Sequence, residues 1–119
     1  MSVHVKRAYE APASEDGFRV LVDRLWPRGI AKDEAKIDLW LKELAPSTEL
    51  RRWFAHKAER WDGFRTRYFR ELDAQLDAVA ELRKLVAKRH VTLVFAARDE
   101  EHNNAVALCE YLRAPRVVT

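Results

Sequence analysis

The sequence predicts a small α/β domain: a mostly parallel sheet of about three strands covered by helices, with a helix-rich crossover between the second and third strands. Three observations carry this. Val91 to Ala96 is a short, apolar, partly β-branched run, the pattern of a strand buried on both faces. Val20-Leu21-Val22 repeats the pattern earlier in the chain. The long segment between them places its apolar residues at helical spacing, and parallel strands need such a crossover.

In order, Val3 to Tyr9 alternates apolar and polar residues and reads as a first strand. Ala11 to Gly17, punctuated by Pro12 and Gly17, reads as a loop, and Phe18 to Leu25 as the second strand. Pro27 and Gly29 end it, since proline cannot donate to a ladder and glycine permits a sharp change of direction. Ile37, Leu41 and Leu44, at i, i+4 and i+7 with Trp40 beside them, predict a helix that Pro46 stops. Ser47 is a fair N-cap for a short helix carrying Leu50, Trp53 and Phe54. Trp61, Phe64, Tyr68 and Leu72 mark a longer helix, and Leu76, Val79, Leu82 and Val86 a further apolar face; a break near residues 73–77 is left open. After the Val91 strand, Ala105, Leu108, Cys109 and Leu112 share one face of a last helix, with Pro115 just past its end.

At 119 residues, without internal repeat or linker, residues 1–119 are expected to form a single domain. Hydrophobic residues make up 48%, enough to build a core and to exclude global disorder. The net charge of +3 favours an anionic partner only mildly, because it is a small excess of 22 basic over 19 acidic residues. One cysteine, Cys109, excludes an internal disulfide and a cysteine-based zinc site. No apolar run is long enough for a membrane span or a signal sequence, so the cytoplasm is the expected location. Three glycines, at 17, 29 and 63, make neither a Walker nor a dinucleotide loop, and no cofactor is expected. No histidine pair or carboxylate cluster has metal-ligand spacing.

Both apolar strands end in an acid–arginine pair, Asp23-Arg24 and Arg98-Asp99. Ligands of open α/β sheets bind outside the carboxyl ends of the strands, so parallel neighbours would bring these four charges to one rim. Asp23 and Asp99 are the candidate catalytic groups, able to orient or deprotonate a reacting group. Arg24 and Arg98, with Arg28 from the following loop and Arg7 from the end of the first strand, are candidate ligand-binding residues, since a guanidinium fork fits carboxylate or phosphate. His102 and Asn103, beside Asn104 at the start of the last helix, join them. The structural alternative is that the acids and arginines pair with each other and that Asp99 caps the helix, with Glu100 and Glu101 opposing any phosphate at its N-terminus.

His56 reads as a helix-end or packing residue, His4 and His90 as surface or strand-edge residues, and Cys109 as a small buried hydrophobe. Seven basic residues from Arg51 to Arg70 interleave with aromatics, which suggests a nucleic-acid face. The aromatics recur at helical spacing, however, so a core face with solvated arginines is the better account.

The run Arg19-Val20-Leu21-Val22-Asp23-Arg24-Leu25-Trp26-Pro27-Arg28-Gly29 resembles the DUF488 family, specifically its short YeaO-like bacterial proteins. Further matches are Trp40 to Ser47, Leu50 to Phe54, Val91 to Val94, Ala97-Arg98-Asp99, His102-Asn103 and Ala105, so the resemblance spans nearly the whole chain. It implies an α/β fold with a site at the same rim and supplies no reaction, the family being named for its unassigned function. The chain departs from the family pattern at three places. Ala55 stands where glycine is common before the histidine, Lys57-Ala58 replaces a frequent Asp-Pro, and Phe95 stands for a usual tyrosine. The expected function is binding of a small anionic ligand, a metabolite or nucleotide fragment, with or without catalysis; the alternatives are a nucleic-acid-binding module and a non-enzymatic interaction protein.

Overall fold

The structure is a computed structural model and describes residues 2–114. Four parallel strands, β1 (Val3–Arg7), β2 (Phe18–Leu21), β3 (Leu39–Trp40) and β4 (Val91–Phe95), form one sheet in the order β1-β4-β2-β3. The helices are α1 (Lys32–Ala35), α2 (Thr48–Phe54), α3 (Trp61–Asp73), α4 (Leu76–Lys88) and α5 (Asn104–Arg113). The mostly parallel α/β fold is as the sequence predicts, with a fourth strand at the edge. The apolar β4 occupies the centre, pairing Val3–Arg7 on one side and Phe18–Leu21 on the other, and all five of its residues are buried.

The two faces of the sheet differ. Val20, Val22, Leu93 and Phe95 point to the face covered by α2 to α5, where Leu50, Phe64, Leu82 and Leu108 complete the main core. Leu21 and Val94 point the other way, as the period of two requires, and are covered by Trp26, Ile30, Ile37 and Trp40 from the segment after β2.

That division explains the one element misread in the sequence. Residues 37–44 are not a helix but β3 followed by a 3-10 turn at Lys42–Leu44, with only the four-residue α1 before them. Ile37 and Trp40 belong to the small core on the face away from α2 to α5, the lower face, and Leu41 and Leu44 to the main core on the upper, helix-covered face. The helical spacing is produced by a chain crossing the sheet edge, not by one apolar face. The second strand also stops at Leu21 rather than Leu25, because the chain turns away at Asp23 and leaves Leu25 exposed. The first strand stops at Arg7, short of Tyr9. Ser47 caps α2, accepting from Leu50 N–H at 3.1 Å, and α3 and α4 are separate helices, divided at residues 74–75. Pro115 lies outside the described residues.

Beneath the sheet sits a closed ionic cluster. Asp16 accepts from Lys6 Nζ at 3.0 and 3.1 Å, from Arg19 Nη1 at 2.7 Å and from Ala13 N–H at 3.0 Å. Arg19 gives its other donors to the Ala35 carbonyl at 3.1 and 2.9 Å, so every charge has a partner. The cluster ties the 3-10 turn at Ser14–Asp16 to β1, β2 and the end of α1. Gly17, at φ +65°, lets the chain re-enter the sheet; a Cβ there would lie 2.5 Å from the His90 carbonyl oxygen.

Candidate functional site

The chain leaves β2 toward the lower face and leaves β4 toward α5 on the upper face. Neighbouring parallel strands whose exits diverge open a crevice at their carboxyl ends, the usual ligand position in such sheets. A cleft of about 400 Å³ lies there. Its walls come from the loop at Asp23–Arg28, from Arg51, Phe54 and His56 at the end of α2, and from Ala96, Ala97 and residues 102–104 before and at the start of α5. Tyr9 closes one side, its hydroxyl donating to the Arg28 carbonyl at 2.9 Å.

Asp23 forms part of the cleft wall and joins three elements. Its Oδ2 accepts from Ala96 N–H at 2.9 Å and its Oδ1 from Asn104 Nδ2 at 3.0 Å; the same amide donates to the Val22 carbonyl at 3.0 Å. Trp40 Nε1 donates to the Asp23 carbonyl at 2.7 Å. Burial pushes the Asp23 carboxyl above the ordinary carboxylate value, and the hydrogen bonds from Asn104 and Ala96 and the charge of Arg51 oppose that shift without cancelling it.

Arg24, Arg28 and Arg51 line the same cleft, and their side chains are exposed. No carboxylate among the described residues pairs with any of them. Arg24 also faces an adjoining recess of about 470 Å³ beside Ser47 and Glu71. There the Glu71 carboxylate already accepts from Ser47 N–H at 2.8 Å and from its hydroxyl at 2.5 Å.

His102 reaches the cleft as half of a pair, its Nδ1 lying 2.9 Å from Asp99 Oδ2 with Trp61 edge-on at 5.3 Å. Asp99 Oδ1 accepts from the N–H groups of Glu101 and His102 at 2.9 and 3.0 Å. The Glu101 N–H, followed by the His102 contacts, holds the Asp99 carboxyl below the ordinary carboxylate value. Asn103 caps α5, accepting from Val106 N–H at 2.9 Å, and donates to the Asp99 carbonyl at 2.9 Å. Asn103 thus takes up one of the free N–H groups at the start of α5. His56 follows Ala55, and both are left-handed, at φ +56° and +47°. Two consecutive non-glycine residues there are costly, and such strain gathers where a side chain must be aimed. The common family glycine at position 55 suits this helix end.

Of the residues singled out in the sequence, Asp23, Arg24, Arg28, His102 and Asn103 meet at the cleft. Arg7, Arg98 and Asp99 are not in its wall. Arg7 donates from Nε to the Ala97 carbonyl at 2.8 Å and lies 4.7 Å from the Tyr9 ring, so it supports the wall from behind. Arg98 is exposed on the loop after β4. Arg51, Tyr9 and His56 are added to the candidate residues by the fold, and Asn104, read beside His102 and Asn103, belongs with them. The doubled left-handed end of α2, hinted at by the family glycine, was the available signal for His56.

The basic residues from Arg51 to Arg70 have different surroundings. Arg51 turns to the cleft, and Arg65 pairs with Asp62 and Glu110, each at 2.6 Å. Arg67 lies over the Trp53 ring at 3.8 Å, and Arg60 donates to the Trp53 carbonyl. Cys109 is buried in the main core, where burial pushes its thiol up. Among the described residues no serine, threonine or cysteine lines the cleft, no group of His, Cys, Asp or Glu is placed to hold a metal ion, and no helix is long and apolar enough to cross a membrane.

Comparisons with known proteins agree with the resemblance read from the motifs. An uncharacterized protein of Mycobacterium tuberculosis H37Rv is 47% identical over 110 residues, 92% of each chain. The uncharacterized protein YeaO of Escherichia coli K12 is 39% identical over 114 residues, 96% of this chain and 99% of that protein. No solved structure matches. The family model DUF488-N3i, described as the inactive DUF488-N3 subclade, matches residues 2–116, and the chain belongs to that family.

Proposed function

We propose that the cleft binds a small anionic ligand and holds it without transforming it. The observation that carries this reading is the set of three arginines, Arg24, Arg28 and Arg51, that share one concave site and form no ion pair with a carboxylate among the described residues. Guanidinium groups gathered in this way repel one another, and a ligand carboxylate or phosphate relieves the repulsion through bidentate hydrogen bonds. Asp23, in the same wall, feels the charge of Arg51 but is one carboxylate against three guanidiniums, and its oxygens already accept from Ala96 N–H and Asn104 Nδ2. The description of the family as inactive, and a wall that among the described residues holds no serine, threonine or cysteine, with the Tyr9 hydroxyl engaged by the Arg28 carbonyl, favour retention of the ligand over turnover. His56 and His102 then serve as ligand contacts, His102 being held in orientation by Asp99.

The test is thermal unfolding against rising inorganic phosphate and acetate, in the wild type and in an Arg24→Ala/Arg51→Ala variant. The wild type is expected to gain ~1–3 kcal/mol as the anion passes from about ten to a hundred times its dissociation constant. The variant should unfold at nearly the wild-type temperature without ligand, since both side chains are exposed, and should lose that gain. An equal gain in both proteins overturns the reading.

A further inference from the structure

We propose that the natural ligand of this cleft carries a flat ring next to its anionic group, so that the site selects aryl or heteroaryl phosphates or carboxylates over simple inorganic anions. The inference rests on the anion-binding reading and adds the chemistry of the rest of the ligand.

Its basis is a second property of the same walls. Among the described residues three large hydrophobic side chains are exposed: Tyr9 at 45%, Leu25 at 67% and Leu76 at 72%. Two of the three, Tyr9 and Leu25, line this one cleft. Scattered exposed hydrophobics need no account, but two at one concave site with cations beside them do. Leu25 lies between Arg24 and Trp26 in sequence, so the segment that brings the charge also brings the apolar surface.

The aromatic part of the wall is fixed in advance. Trp26 Nε1 donates to the Ile30 carbonyl at 2.6 Å, and its ring meets Trp40 edge-on at 5.6 Å. With its one polar group satisfied, Trp26 presents carbon surface alone. Tyr9 is held by its hydrogen bond to Arg28 and by the Arg7 guanidinium against its ring. Phe54 and Phe64, 4.6 Å apart and only 6% and 2% exposed, back the wall from the core, so the apolar surface open to a ligand is that of Tyr9, Leu25 and Trp26. A hydrated inorganic ion would leave these surfaces in water. A ring would cover them, and aromatic walls prefer flat partners, by stacking or edge-to-face contact. The volume of about 400 Å³ is toward the lower end of small-molecule sites, which suits one ring system with one charged group.

Calorimetric titration with phenyl phosphate, benzoate, inorganic phosphate, acetate and phenol separates ring from charge. Phenyl phosphate is expected to bind at least tenfold more tightly than inorganic phosphate, benzoate to exceed acetate likewise, and phenol to bind far more weakly than either aryl anion. Leu25→Ser, at an exposed position that leaves the core intact, should remove at least a threefold part of that preference and leave inorganic phosphate binding unchanged. Trp26→Leu should remove more of it, with circular dichroism and the unfolding temperature checking that the fold survives. Equal affinity for phenyl phosphate and inorganic phosphate overturns the ring inference while the anion reading stands. Binding of phenol as tight as phenyl phosphate, unaffected by Arg24→Ala/Arg51→Ala, overturns the anion reading. Failure of all five probes to bind overturns both.

Discussion

Two clusters in this molecule use the same residue types in opposite ways. Beneath the sheet, Asp16, Lys6 and Arg19 close on one another and on the Ala35 carbonyl, and Asp16 and Arg19 are only 6% and 3% exposed. At the carboxyl edge, the Asp23 carboxylate is taken up by Ala96 and Asn104, while Arg24, Arg28 and Arg51 keep their forks open. Each cluster has more cations than anions, so net charge does not separate a structural cluster from a binding one. What separates them is whether each donor already has an acceptor.

The sharpest way to break this comparison is Asp16→Ala. It leaves Arg19 buried and short of its anion, and is expected to cost ~3 kcal/mol in urea unfolding at neutral pH. A loss below ~1 kcal/mol would place the cluster with ordinary surface pairs. The pH dependence carries the same contrast. Burial alone would raise the Asp16 pKa, but the hydrogen bonds from Ala13, Lys6 and Arg19 outweigh it and leave the value lowered. Its stabilisation is therefore present above the ordinary carboxylate range and disappears as pH falls through the lowered value, below about pH 4. Asp16→Asn should flatten that acid limb. Asp23 has the opposite slope, since its raised value means that its folded-state preference for the proton favours stability at lower pH and is lost as pH rises through that value.

A smaller effect is expected at the cleft. Asp23→Ala strands the Ala96 N–H and leaves the Asn104 amide with the Val22 carbonyl alone, costing ~1–3 kcal/mol by thermal unfolding, with relief of the buried charge offsetting part of it. If Asp23→Ala proves as costly as Asp16→Ala, Asp23 is as much a structural keystone as the lower cluster. Smallest of all, Ala55→Gly should stabilise the protein by ~0.5–1 kcal/mol, because it relieves a left-handed alanine. No gain in unfolding temperature would mean that the end of α2 is not strained in this way.

The sequence made the sheet legible where burial on both faces left a run dominated by apolar residues, as in Val91–Phe95, with Thr92 alone polar. It misled at residues 37–44, where alternate apolar residues serve two cores and imitate one helical face. The rim was legible at Asp23, Arg24 and Arg28, which lie on the loop leaving the central region of the sheet. It was less so at Arg98 and Asp99, because β4 ends at Phe95 and the loop carries them past the cleft wall. Arg51 and His56 come from a helix remote in sequence, and only the tertiary packing of α2 brings them to the strand ends.

The strand order has a consequence for how the chain acquires its shape. β4, the last of the described strands, lies between β1 and β2, which do not pair with each other. During synthesis the first strand can find no partner in this sheet until residues 91–95 have left the ribosome. The central step of folding is then the insertion of a late, fully buried strand between two waiting edges, a long-range closure of the kind that slows folding and leaves strand edges open meanwhile.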